Sequence, residues 1–260
     1  MKIIKNNQGG FTLPELLIVV SVSAVLIGLI VTFTVGYSRF AASLQLVSDA
    51  FVTRLNMSDY FREKLGASSG LISQNSIADM NVGAVDTATS PAYFWQIVHP
   101  IPGTISVGSG NAITPIFYFR KFSQNSSGAL IMNGTNPYED ELIIYLDASD
   151  RTLNVRTLAN LSAPGNKAKT TCPKALATTN CPADAKLIGD VTSVDVRYFS
   201  RTGILIDWTS IFDLNTGLYA GPDFPAVEVV ELKVNSTVQA KYQSNTLNNS
   251  TIIRVALRNT

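Results

Sequence analysis

The chain has 260 residues, of which 15% are charged, and its 20 Lys and Arg against 19 Asp and Glu leave a formal net charge of +1. That balance excludes the strongly basic footprint of a protein that holds nucleic acid through its phosphates. One histidine and two cysteines offer no zinc-ligand spacing, and the length fits one large domain or two small ones.

The first element is set by residues 1–38. Lys2 and Lys5 precede Gly9-Gly10, and after Glu15 no charge occurs from Leu16 to Ser38. A spanning helix needs roughly 20 apolar residues, so Leu16 to Val35 is long enough, and it is too long and too uniform for the core of a cleaved secretory signal. The segment is therefore expected to be retained. Early lysines, with Arg39 only after the apolar run, favour a cytoplasmic N-terminus and an outward C-terminal part. Gly28 and Gly36 each cost up to about 1 kcal/mol relative to alanine within a helix. Glycine is frequent in membrane helices, where it permits close packing; local melting or bending is the alternative reading. Glu15 is the one carboxylate at this depth. Such a group costs on the order of 2.5–3.5 kcal/mol at the centre of a membrane helix and less near the interface, whereas in a first turn the helix dipole favours it.

The run Gly10-Phe11-Thr12-Leu13-Pro14-Glu15-Leu16-Leu17 resembles the processing motif of type IV pilins and the related pseudopilins. The resemblance implies that a prepilin peptidase cuts after Gly10 and methylates the new amine of Phe11, leaving Glu15 as the fifth mature residue. It also implies that Glu15 meets the Phe11 amine of a neighbouring subunit and sets axial register during assembly. The implied division is a leader over 1–10, a transmembrane and assembly helix over 11–38, an amphipathic continuation over 39–65 and a head over 66–260. Partners would be other pilins and minor pilins, the peptidase and the pilus assembly platform. The chain would sit in the cytoplasmic membrane with its head outside, and become extracellular in an assembled pilus.

From Arg39 the pattern becomes amphipathic, with Phe40, Leu44, Val47, Phe51, Leu55, Phe61 and Leu65 at helical spacing. An unbroken helix from Phe11 to Leu65 would be about 80 Å long at 1.5 Å per residue. Gly66, Ser68, Ser69 and Gly70 supply the stop, and residues 71–92 read as a loop with at most one short element. Beyond them the pattern is that of strands: Ile116 to Phe122, Leu142 to Leu146 and Leu153 to Leu158, the last two joined by a turn at Asp147 to Arg151. Val191 to Phe199 alternates, with Val194, Val196 and Tyr198 on one face, and Ile204 to Trp208 is its partner across Ser200 to Gly203. A β-bulge near Val229 and Val230 would bring Val227, Val229, Val230, Leu232 and Val234 to one face. The last strand, Ile252 to Arg258, alternates Ile253, Val255 and Leu257 with Arg254 and Arg258. The fold class is α+β: a long N-terminal helix whose amphipathic half covers an antiparallel sheet, as in the pilin fold.

Cys172 and Cys181 close a short polar loop. Outside the cytosol such a pair is expected to form a disulfide. No catalytic constellation, cofactor or metal site is expected. His99, in Ile97-Val-His-Pro, reads as a strand or turn residue. Glu139-Asp-Glu141 and Asp147 to Asp150 offer the oxygens that Ca²⁺ takes, but neither follows EF-hand spacing, so both read as solvated turn charge. The aromatic sets Tyr93-Phe-Trp95 and Phe117-Tyr-Phe119 would stack on bases only if exposed. With Arg120-Lys121 as the one adjoining basic pair, they read as core.

The order Leu187 to Phe199, Trp208, Phe224 to Leu232 and Ile252 to Asn259 resembles the C-terminal sheet of the large minor pilins, PilW-like, and of J-type pseudopilins. Together with a head larger than shaft-forming pilins carry, this implies a low-copy structural subunit and no enzyme. A J-type pseudopilin of a type II secretion system is the alternative, or a pilus-borne adhesin or DNA-binding module seated in residues 71–186.

Overall fold

The computed structural model describes residues 12–65, 68–72, 76–80, 95, 104–107, 113–211, 226–239 and 246–257. Two compact units divide within the first helix, a helical unit up to Ser48 and a head from Asp49.

Helix α1 (Leu13–Leu65) is continuous, as its uninterrupted pattern predicts. Thr12 caps it. Its backbone N–H donates to Glu15 Oε2 at 2.9 Å and its hydroxyl to the same oxygen at 2.8 Å, so the Thr-x-x-Glu run forms one half of a capping box. Pro14 stands in the first turn, where a helix lacks no bond for want of its N–H. Farther along, hydroxyls fold back on their own helix: Ser21 on the Ile18 carbonyl at 2.9 Å, Thr32 on Gly28 at 2.8 Å, Thr34 on Ile30 at 2.7 Å and Ser38 on Thr34 at 2.8 Å. Each polar group is thereby satisfied without water, as an apolar surrounding requires. A Cβ at Gly28 or Gly36 would meet nothing within 4 Å.

Within the head, the buried stripe of α1 is Ala50, Met57 and Phe61, with Thr53 and Tyr60 half-buried. This corrects the expected face in part: Phe61 packs inward, but Phe51 and Leu55 are 58% and 45% exposed. Both positions lie about half a turn away from Thr53, at 100° per residue. In the helical unit Phe40, Leu44 and Val47 are likewise exposed.

The strands are β1 (Ser68–Leu71), β2 (Thr104–Ser106), β3 (Ile113–Phe122), β4 (Met132–Asn133), β5 (Asn136–Pro137), β6 (Glu139–Asp147), β7 (Thr152–Leu158), β8 (Ala185–Ile188), β9 (Val191–Phe199), β10 (Leu205–Ile206), β11 (Val229–Gln239) and β12 (Thr246–Ala256), with a short helix α2 (Trp208–Ile211) after β10. They form two sheets where one was expected. The first has the order β1-β3-β6-β7-β8; the second runs β10-β9-β11-β12, with β2 also on β9; β4 and β5 make a small ribbon. Ile116 to Phe119 and Leu142 to Leu146 are all buried, so the central strands of the first sheet are covered on both faces. One apolar cluster takes in Met57, Phe61, Phe117, Tyr198, Leu232 and Val255. Phe117 and Tyr198 meet edge to face across the two sheets, centroids 6.5 Å apart.

The hairpin between β6 and β7 is as read, with Asp147 Oδ1 accepting the Ser149 and Asp150 N–H groups and Arg151 at φ 52°. Three other readings are corrected. Ser68 to Gly70 do not merely stop the helix but pair with β3. β10 is only Leu205–Ile206, because Trp208 already opens α2. No bulge lies at Val229 and Val230: β11 pairs with β9 in unbroken register from Val229 to Asn235 and shifts only at Ser236. Val227 is buried just before the strand begins, while Val229 is half-buried. The last strand starts earlier than read, at Thr246, with Ile253, Val255 and Leu257 buried as expected; Arg258 lies outside the described residues.

Candidate functional site

Two regions carry chemistry. The first is the start of α1. Gly10 and Phe11 lie outside the described residues, while Glu15 is held by Thr12 in the first turn. From there the helix is long and apolar enough to cross a membrane, and from Leu13 to Ala41 every residue is exposed. A helix apolar all round, with its side chains exposed among the described residues, is a surface suited to lipid or to other helices.

The second region is polar and inside the head. Arg156, on β7, has no exposed surface. Its Nη1 donates to Asp79 Oδ2 at 2.7 Å and its Nη2 to Asp184 Oδ2 at 2.7 Å, with Nε shared between both Asp184 oxygens at 3.2 Å. Asp184 also accepts the Tyr145 hydroxyl at 2.6 Å and the Thr171 hydroxyl at 2.6 Å, and Asp79 accepts Trp95 Nε1 at 2.7 Å. The guanidinium carbon stands 5.0 Å from the Trp95 ring centroid and 5.9 Å from that of Tyr145. Burial alone would lower the Arg156 pKa, but the hydrogen bond and charge of Asp184, then Asp79, outweigh it and raise it. Burial first, and Asp184 next, push the Tyr145 phenol far above its ordinary value.

This cluster is a tether. Glu141, also buried, takes the Ser76 N–H at 2.9 Å, the Ser76 hydroxyl at 2.5 Å and the Ile77 N–H at 2.9 Å. Glu141 and Arg156 therefore fasten residues 76–79 to β6 and β7. Asp140 is equally committed, accepting Ser123 Oγ at 2.9 Å, the Asn160 N–H at 2.8 Å and Asn166 Nδ2 at 2.6 Å. The reading of Glu139-Asp-Glu141 as solvated turn charge is thus corrected for Asp140 and Glu141, both at most 4% exposed. They sit in a strand whose two faces are covered, so each must find donors. Among the described residues no group of three or more His, Cys, Asp or Glu is placed to hold a metal ion.

Cys172 and Cys181 form a disulfide, Cα atoms 5.6 Å apart. Most of the loop between them is exposed, but Cys172 itself is buried. The base of the loop is a hydrogen-bonded pair of arms, Cys172 N–H to the Pro182 carbonyl at 2.9 Å and Asp184 N–H to the Cys172 carbonyl at 2.8 Å. The staple therefore fixes Thr171 and Asp184 against Arg156. His99, Tyr93 and Phe94 lie outside the described residues, and Trp95 with Phe117 to Phe119 is buried.

Arg156, Asp79 and Asp184 were not singled out by the sequence. The available signal was an arginine between Val155 and Leu158 in a strand-like run, but its partner Asp79 is 77 residues away.

An exposed apolar helix, long enough to cross a membrane, leads into an α+β head. The N-terminus of the chain matches the family model described as the prokaryotic N-terminal methylation motif, over residues 5–31, which supports a type IV pilin-like prepilin. No curated protein matches it.

Proposed function

We propose that this chain is a low-copy structural subunit of a type IV pilus, cleaved after Gly10, methylated on the Phe11 amine and assembled through α1. Its head is displayed outside the cytoplasmic membrane and primes, caps or modifies the filament. The observation that carries this reading is the combination of the methylation motif with a helix that keeps its apolar side chains exposed far beyond Ser38, at Phe40, Leu44, Val47, Phe51 and Leu55. A bilayer has no use for apolar residues beyond its own thickness, whereas neighbouring subunits in a filament do. The Thr12 cap leaves Glu15 Oε1 for the Phe11 amine of a neighbour, which would set axial register.

The test is a census of sheared filaments, with the mature N-terminus read by mass spectrometry. A methylated Phe11 terminus and an abundance far below that of the shaft subunit are expected; equal abundance overturns the low-copy role, and no form starting at Phe11 overturns the processing. Glu15→Ala is expected to be cleaved normally and to enter filaments poorly. The J-type pseudopilin reading shares the C-terminal resemblance and would be favoured if the chain sedimented with a secretion apparatus instead of pili.

A further inference from the structure

A recess of about 340 Å³ opens at the end of the first sheet. Three lysines line it: Lys121 from β3, and Lys167 and Lys169 from the segment after β7. That segment is strapped in place. The Lys167 N–H donates to the Gln124 carbonyl at 2.8 Å, the Ala168 N–H to Asn166 Oδ1 at 3.0 Å, and the Ala159 N–H to Thr170 Oγ1 at 3.1 Å. Asn166 is in turn anchored to Asp140. The two lysines are thus carried on a fixed support, not a loose loop.

Among the described residues Asp140 is the one carboxylate lining this recess, and three donors already occupy that group. Lys167 and Lys169 are exposed and have no carboxylate within ion-pair distance among the described residues. The remaining wall is partly apolar and aromatic, with Tyr60, Phe122 and Leu142, and partly uncharged and polar, with Gln124 and Thr157. Ammonium groups call for an anion, the aromatic edge suits the face of a ring, and the amides suit hydroxyls. The volume falls at the small end of ligand pockets, which run about 300–1,000 Å³. Nucleic acid is less well matched: its backbone needs a track of cations, while these are gathered at one recess on a chain of net charge +1.

We infer that this recess binds a carboxylated sugar, its acid group held by Lys167 and Lys169 with Lys121 behind them and its ring against Tyr60 and Phe122. This concerns the head alone and does not depend on the filament role.

The experiment is calorimetric titration of the full chain in detergent with galacturonic acid, galactose, inorganic phosphate and a single-stranded oligonucleotide. Saturable binding of galacturonic acid is expected, at least about tenfold tighter than galactose or phosphate, and weakened about tenfold or more in Lys167→Ala/Lys169→Ala; such factors follow from losing one or two charge-assisted contacts. Both lysines are exposed, so the variant keeps its fold, as circular dichroism would verify. No binding, equal binding of galactose or of phosphate, tighter binding of the oligonucleotide, or an unaffected double variant would each overturn the assignment.

Discussion

Arg156 shows what a single residue does in this head. Its charge is taken out of water at a cost of several kcal/mol, which two carboxylates and two aromatic rings offset. Removing one partner leaves the others buried and uncompensated. Arg156→Ala is therefore expected to destabilise the head by about 3–5 kcal/mol, read as a lower urea midpoint, whereas Arg201→Ala, at an exposed pair, is expected to leave the midpoint unchanged. Tyr145 adds a pH dependence. Its ordinary pKa is 10.0, and in the fold burial and Asp184 raise it. A raised value means that the folded state keeps a proton which the unfolded chain releases, so stability is complete below about pH 10 and falls as pH climbs toward the folded value. The alkaline limb of the stability profile is expected to be steeper for the native chain than for Tyr145→Phe, by at most about 1.4 kcal/mol per pH unit. Identical limbs would show that Tyr145 is not the group responsible. None of this was legible in the sequence, because a buried ion pair joins residues that composition treats as surface. Even Asp140 and Glu141, which the sequence did flag, read as turn charge until β6 was seen to be covered on both faces.

At the scale of elements, α1 is the instructive case. Its length and its end at Leu65 follow from an uninterrupted pattern and from the Gly66 to Gly70 cluster, and both were readable. Which face turns inward was not. Two apolar series run along the same helix, Phe40-Leu44-Val47-Phe51-Leu55 and Ala50-Met57-Phe61, and the sequence favours the first, with Phe61 and Leu65 read as its continuation, because its side chains are larger. The head takes the second, where Ala50 and Thr53 are small. The consequence separates stability from assembly. Met57→Ala is expected to cost the head about 2–5 kcal/mol through lost burial and a cavity, while Phe51→Ser, at an exposed position, is expected to change its stability by no more than about 0.5 kcal/mol. On the proposed function Phe51→Ser lowers recovery in sheared filaments all the same. Thermal melts and a filament census of the two variants check both statements. A comparable ambiguity explains the misplaced bulge in β11. Val227 and Val230 are both buried, but Val227 is carried inward by the chain before the strand starts, not by an extra residue within it.

For the whole molecule, the decisive feature is where its compact units divide. The boundary falls at Ser48 and Asp49, inside α1 and well beyond the uncharged run that ends at Ser38. The head accordingly owns the last turns of the helix: Met57 and Phe61 belong to the same apolar cluster as both sheets, and each is 1% exposed. A fragment beginning at Ser48 keeps those turns and starts on a residue suited to cap them, so it is expected to fold as a soluble monomer with a cooperative melt. A fragment beginning at Gly66, where composition alone would place the head, lacks Met57, Phe61 and half-buried Tyr60. It exposes the apolar surface they cover, a loss of roughly 1.5–3 kcal/mol for each large side chain against a typical domain stability of about 5–15 kcal/mol. That fragment is expected to aggregate or to melt at much lower temperature. Expression of the two fragments, compared by gel filtration and thermal denaturation, decides the matter: equal stability would mean that the head folds without the helix, and a difference would mean that the last turns of α1 complete the core of the head.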